Sequence, residues 1–277
     1  MIHGLPRLMP MERRGLSVRW RLVAAICIVL VRVARWRIDV QGLEHVPSDG
    51  GAVLTFNHHS YNDFVMLAWA PVRILKRPIR FLAKREIWEK RRTRWVVRWA
   101  DAVPVDRGST SARSGAFNAA ADALRAGDLV AVAPEQTISE SFELLPFRTG
   151  AVRMAQLADV PIVPVVGWGS HRFATKGRPM RLVFKLPVTV RFGEPMWFAA
   201  EEDPVEATER LRARMTEMLH DVQESYPDGA PAGAPWVPAR LGGSAPLAAA
   251  SSPPPGGSGN VRDLEDPDDG HTGRRSA

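Results

Sequence analysis

Cysteine is nearly missing from this chain. Cys27 is the single one in 277 residues, which excludes an internal disulfide and a cysteine-built zinc cluster and fits a reducing compartment. It lies in an apolar run, where cysteine behaves as a small hydrophobe. That run, residues 22–31, is itself short: ten residues without a charge cover roughly 15 Å as a helix, about half the hydrocarbon thickness of a bilayer. A clean single span is not expected. A secretory signal is not expected either, because Arg32 and Arg35 follow where a small-residue cleavage site should lie. No Gly-x-Ser-x-Gly elbow occurs, so an activated serine of that kind is missing, and no His-Glu-x-x-His pattern offers a zinc site. Internal repeats are absent.

What is present is a normal globular composition with misplaced charge. Hydrophobic residues make up 45% and charged residues 24%, enough for one sizeable core or two modest ones. The basic excess is concentrated. Residues 1–40 hold eight arginines against Glu12 and Asp39, and residues 72–98 hold eleven Lys or Arg against Glu86 and Glu89. Such clusters fit a polyanion: nucleic acid, anionic lipid headgroups or a phosphorylated substrate. The second cluster is interleaved with Trp88, Trp95 and Trp99, which suits single-stranded nucleic acid and a membrane interface equally. The neighbouring apolar run decides for a membrane and against nucleic acid. A helix embedded in one leaflet, with Trp20 and Trp36 at the interface and arginines reaching the headgroups, is expected over residues 1–37. The alternative for the run is a buried core helix.

Three units are expected: a basic, apolar anchor over 1–37, a body over 38–226, and a disordered Pro/Gly/Ser-rich tail over 227–277. In the body, apolar runs at 52–56, 79–83, 102–105, 129–133 and 162–166, and a pair at 182–184 and 188–192, read as strands, several of them covered on both faces. Helices are expected over 109–126, with Phe117, Ala120 and Leu124 on one face and Gly127 as the stop, and over 150–158. A last one within 201–226 is capped by Asp203 with Pro204 first and Glu206 following, and its apolar face is Leu211, Met215, Met218, Leu219 and Val222. Strands alternating with helices predict an α/β fold with a mostly parallel sheet flanked by helices.

The chemistry is concentrated in Asn57-His58-His59-Ser60-Tyr61-Asn62-Asp63, between an apolar strand and an apolar helix, where α/β folds expose functional side chains. An Asp five residues after His58 can fold back onto the imidazole, fix its tautomer and stabilise the imidazolium. With no obvious covalent nucleophile, the dyad would deprotonate a bound hydroxyl that itself attacks an acyl donor.

The order of further blocks over roughly residues 38–195 resembles the 1-acyl-glycerol-3-phosphate acyltransferase (lysophospholipid acyltransferase) family. Its Asn-His-x-Ser-x-x-Asp hallmark is residues 57–63. Similar blocks are Phe81-Leu82-Ala83-Lys84-Arg85-Glu86 and Val103-Pro104-Val105-Asp106-Arg107. They are followed by Pro134-Glu135-Gln136-Thr137-Ile138-Ser139, Pro146-Phe147-Arg148-Thr149-Gly150-Ala151, Val160-Pro161-Ile162-Val163-Pro164-Val165 and Phe192-Gly193-Glu194-Pro195. Two residues depart from the pattern: Gln136 stands where the family has glycine, and Ile138 where it has an arginine linked to the acceptor phosphate.

The resemblance implies fatty acyl transfer from acyl-CoA or acyl carrier protein to a lysophosphatidate-like acceptor in phospholipid biosynthesis. His58 would be the base and Asp63 its orienting partner. Arg107, Glu135 and Arg148 would bind the substrate, the arginines gripping phosphate. No metal or prosthetic group is implied, and the protein is expected on the cytoplasmic face of a membrane as a monotopic enzyme. Two alternatives stay open: another acceptor, such as glycerol 3-phosphate or a different lysophospholipid, and a non-catalytic lipid-binding protein of the same fold.

Overall fold

The structure, a computed structural model, describes residues 31–77, 79–84, 103–105 and 110–247, with positions 22, 25, 28 and 29 of the preceding segment. Seven strands form one sheet: β1 (Arg37–Gln41), β2 (Ala52–Phe56), β3 (Ile79–Lys84), β4 (Val103–Val105), β5 (Leu129–Val132), β6 (Ile162–Trp168) and β7 (Pro187–Phe192). Their order is β1-β7-β6-β2-β5-β3-β4, and every pairing is parallel except β6 with β7. The longer helices are α1 (Asp63–Ala70), α2 (Thr110–Arg125), α3 (Gly150–Ala158) and α4 (Pro204–Glu224).

Strand side chains alternate between faces, and both faces of this sheet are covered. Val53, Val130, Ile162 and Val166 point into one core with Ala120 and Leu124 of α2, Val152 of α3 and Leu211, Met215 and Leu219 of α4. Leu54, Phe56, Leu129, Val163, Val165 and Val190 point into the other, with Met66 and Leu67 of α1 and Val31. A strand buried on both sides favours apolar residues on both faces, which is why β2 and β6 are apolar almost throughout, Thr55 of β2 being the buried polar exception. The α4 start forms as its sequence dictates. The Asp203 carboxylate accepts from the backbone N–H groups of Val205 and Glu206, with Pro204 in the first turn. In the Gly-Glu-Pro block, a side chain at Gly193 would collide with Met218 of α4 and Pro164 of β6, so glycine lets helix and sheet meet there.

Three expectations are corrected. Residues 182–184 are not a strand. Leu182 and Phe184 are exposed in a loop, and the edge strand beside β7 is instead β1, whose alternating Arg-Ile-Asp-Val-Gln gave little apolar signal. The tail does not begin at 227. Tyr226, Val237 and Ala245 are buried, Trp236 stacks under the Arg172 guanidinium at 4.1 Å, and Arg240 reaches Gln223, Glu224 and Glu143. Residues 227–247 are a packed strap, and the tail beyond lies outside the described residues. The anchor reading applies at most to its first part, largely outside the described residues. Val31 and Ala34 are buried against the domain, and the Trp36 indole N–H donates to the Val183 carbonyl at 2.9 Å. Among the described residues no helix is long and apolar enough to cross a membrane.

Candidate active site

Three adjacent parallel strands, β6, β2 and β5, end at the site. The chain leaves β5 on one side of β2 and enters β6 on the other. The strand order reverses there, and open α/β sheets place ligands at that crevice.

Asn57 continues β2 with its side chain. Its Oδ1 accepts from the Gly167 N–H at 2.7 Å and its Nδ2 donates to the Gly167 carbonyl at 3.0 Å, so the amide completes one more rung toward β6. The same Nδ2 lies 3.0 Å from His59 Nδ1. An amide N–H can only donate, so His59 Nδ1 accepts and its proton sits on Nε2. His59 is 1% exposed, edge-on to Phe142 and Trp168. Burial pushes it down to about 3, against the pull of Asp63, and a ring held neutral and sealed off serves the fold.

His58 is oriented differently. Its Nδ1 lies 3.1 Å from Asp63 Oδ2 with the ring about a quarter exposed. Asp63 opens α1, where a carboxylate is favoured by the helix dipole. Its Oδ2 also accepts from the N–H groups of His59 and Ser60, both at 2.7 Å, while Oδ1 accepts from Ser170 Oγ at 3.1 Å. Four donors converge on one buried carboxylate and fix it against the imidazole. Nδ1 therefore donates to Asp63, and the lone pair of His58 Nε2 is left for a proton.

Ser170 is a site residue that the sequence reasoning missed. It follows β6 through Gly169, whose φ of 101° and close approach to the Pro187 carbonyl only glycine tolerates. A lone serine 107 positions after its partner carries no local signal.

The Pro134–Ser139 block clamps the His58 backbone. Glu135 Oε1 accepts from the His58 N–H at 2.8 Å, its Oε2 accepts from the Leu145 N–H at 2.9 Å, and the Ser139 N–H donates to the His58 carbonyl at 2.8 Å. Burial pushes the Glu135 carboxyl up to about 8, opposed by those two N–H groups. Both its oxygens are engaged with backbone, which places it behind the histidine. Gln136 has φ 62°, the left-handed region where glycine is at ease. Ile138 is buried at 7% exposure. Arg148 is half-buried, its N–H bonded to the Pro134 carbonyl; among the described residues its guanidinium meets no carboxylate. Arg107 lies outside the described residues. Among those described, no group of three or more His, Cys, Asp or Glu side chains forms a metal site.

Ser60, the one hydroxyl within the motif's serine position, is fully buried and donates to the Ala174 carbonyl at 2.7 Å. It is not presented as a nucleophile.

The chain is similar to known proteins over this part of the fold. A family model described as Acyltransferase matches residues 37–168. The chain is 29% identical over 188 residues to a 1-acyl-sn-glycerol-3-phosphate acyltransferase of Bacillus subtilis, covering 67% of this chain and 86% of that one. It is 32% identical over 132 residues to the human 1-acyl-sn-glycerol-3-phosphate acyltransferase alpha, where the match spans 47% of this chain and 45% of the relative. Among solved structures, the 1-acyl-sn-glycerophosphate acyltransferase PlsC of Thermotoga maritima superposes with a TM-score of 0.56 at 25% identity, covering 73% of this chain and 79% of that one. With the blocks in order and the dyad formed at the end of β2, the chain is similar to 1-acyl-sn-glycerol-3-phosphate acyltransferases and carries an acyltransferase domain over residues 37–168.

Proposed function

We propose that the protein acylates the free hydroxyl of a lysophosphatidate-like lipid at a membrane surface, taking the acyl group from a thioester, acyl-CoA or acyl carrier protein. The observation that carries this is the dyad itself: His58 Nδ1 is engaged by a carboxylate with four donors, its Nε2 has no partner among the described residues, and the motif's serine is buried and bonded to the Ala174 carbonyl. His58 Nε2 takes the proton of the acceptor hydroxyl as its oxygen attacks the thioester carbonyl. The resulting imidazolium, stabilised by Asp63, returns that proton to the departing thiolate as the C–S bond breaks. Glu135 and Ser139 position His58 through its backbone and do not touch substrate. Arg148 is the described residue best suited to the acceptor phosphate, with Arg107 as its proposed companion. The apolar, arginine-flanked segment before Val31 would keep the enzyme at the bilayer on its cytoplasmic face.

A second reading has its own observation. Ile138 is an apolar, buried side chain where the family carries its phosphate-linked arginine, which favours an acceptor held less strongly by phosphate, such as a lysophospholipid with a headgroup. Purified protein, assayed with labelled acyl-CoA and labelled acyl carrier protein against lysophosphatidate, glycerol 3-phosphate and headgroup-bearing lysophospholipids, decides. The highest kcat/KM on lysophosphatidate supports the first reading, and preference for a headgroup-bearing acceptor the second. Failure to acylate any acceptor from either donor contradicts both.

A further inference from the structure

The mechanism makes no use of the loop over residues 173–185, which is tied down at both ends. At one end the Ala174 carbonyl accepts from Ser60 Oγ at 2.7 Å and from the Tyr61 N–H at 3.3 Å, and Thr175 Oγ1 donates to the His59 carbonyl at 2.7 Å. At the other, the Val183 carbonyl accepts from Trp36 Nε1 at 2.9 Å and the Lys185 N–H donates to the Ala34 carbonyl at 3.0 Å. The loop thus bridges the catalytic motif and the end of the N-terminal helical segment. Between the ties, Met180, Leu182 and Phe184 are 70%, 64% and 58% exposed.

Three large apolar side chains at alternate positions of a well-anchored loop are costly to leave in water. They alternate with Arg181 and Lys185, and residues 172–185 contain five Lys or Arg and no Asp or Glu. Lys176 pairs with Glu140 and Arg172 with Asp228; among the described residues Arg178, Arg181 and Lys185 make no ion pair. Tyr61, whose N–H is tied to Ala174 of the loop, is exposed, as are Phe64 at the start of α1 and Val33, next to Ala34 to which Lys185 is tied, with Arg32 and Arg35 exposed on either side.

We propose that this loop is a second membrane-docking element, inserting Met180, Leu182 and Phe184 into an anionic bilayer while Arg181 and Lys185 meet headgroup phosphates. Apolar tips with flanking cations match the interface of an anionic leaflet in both depth and charge. An acidic carrier protein would match the charge alone and leave the three exposed apolar side chains, the wedge of this loop, in water. Tied to the His59–Tyr61 backbone, the wedge would hold the mouth of the site at headgroup level, so the acceptor need not leave the bilayer. The inference rests on the proposed function only in taking a membrane lipid as acceptor.

The test uses the full chain with Cys27→Ser and Leu182→Cys carrying an environment-sensitive fluorophore. The control is Glu209→Cys, an exposed position on α4 over the opposite face of the sheet. With phosphatidylglycerol-containing vesicles, the label at 182 should brighten several-fold and be quenched by nitroxide lipids, and the label at 209 should not. The variant Met180→Ser/Leu182→Ser/Phe184→Ser should bind these vesicles about tenfold or more weakly, and turnover of vesicle-borne acceptor should fall in step. Its kcat on a short-chain, freely soluble acceptor should stay within about twofold of the parent. A label at 182 that stays silent while the protein binds vesicles overturns the proposal. So does undiminished binding by the triple variant, or a response at 182 to acyl carrier protein and not to vesicles. Because the label reads insertion and not turnover, loss of the proposed activity on every acceptor would leave this outcome unaffected.

Discussion

Asp63→Asn separates the charge of the carboxylate from its geometry. Asp63 Oδ2 accepts from three donors, His58 Nδ1 and the N–H groups of His59 and Ser60, whereas Oδ1 accepts only from Ser170 Oγ. An asparagine has one orientation that fits: its oxygen toward the three donors and its NH₂ toward Ser170, whose hydroxyl can turn to accept. The fold and the His58 tautomer are therefore kept, and what is lost is the negative charge facing the imidazolium. At 3.1 Å and an effective dielectric of ~20, that interaction is worth about 5 kcal/mol, an upper bound because His58 is partly exposed. The expected loss is about 10³–10⁴-fold in kcat, with a melting temperature within about 4 °C of the parent and KM little changed. Steady-state kinetics alongside thermal unfolding reads both quantities. A folded Asp63→Asn enzyme that retains more than a tenth of its turnover would refute the reasoning.

Other expectations follow from the same neighbourhood. Gln136→Gly relieves a left-handed backbone and should stabilise the protein by about 1 kcal/mol, read as a higher urea midpoint; no gain would mean the Gln136 side chain offsets the strain. Glu135→Ala leaves the His58 and Leu145 N–H groups without their carboxylate, and should lower kcat by about tenfold or more with little change in KM, since it acts through the position of His58; a rise in KM alone would make it a substrate contact. Acid should destabilise the protein early. His59 and His171 are held down near 3 by burial, so their contribution is whole above about pH 6.5, where the unfolded rings are neutral, and is lost as pH falls from there toward 3. Glu135, raised to about 8, runs the opposite way, its contribution fully present below its ordinary value near 4.5 and lost as pH rises through 8. Two histidines outweigh one carboxyl, so unfolding free energy should fall below pH 6.5, and His171→Phe should flatten that slope. A stability independent of pH between 7 and 5 would contradict the burial of these rings.

Much of the fold was legible because its strands are covered on both faces: the runs at residues 52–56 and 162–166 carry no charge, and Thr55 is their one polar side chain. β1 was not, since an edge strand beside β7 needs to bury only part of its surface and tolerates Arg37, Asp39 and Gln41. Leu182 and Phe184 misled for the converse reason. Their apolarity serves an exposed loop, and strand propensity says nothing about what covers a strand. The strap over residues 227–247 was hidden by its Pro and Gly content, although Trp236 and Val237 are the residues that bury it.

In the site, the local motif was readable because His58 and Asp63 are five residues apart. What comes from afar was not. Ser170, the Gly167 rung under Asn57 and the twofold grip of Glu135 and Ser139 on the His58 backbone depend on strand order, which brings the ends of β5 and β6 to β2. Glu135 is an instance: its bonds to the His58 and Leu145 N–H groups join residues far apart in the chain and leave no local signal.

The central claim is that His58 acts as general base on the acceptor hydroxyl with no acyl-enzyme intermediate. Acyl transfer by His58→Ala, in protein shown by its melting temperature to be folded, tests it most directly. The account predicts a kcat lower by about 10²–10⁴-fold or more, with no labelled acyl group retained on the parent protein after a quench in the absence of acceptor. Turnover within tenfold of the parent, or a stable acyl-protein adduct formed at a rate matching kcat, would contradict it.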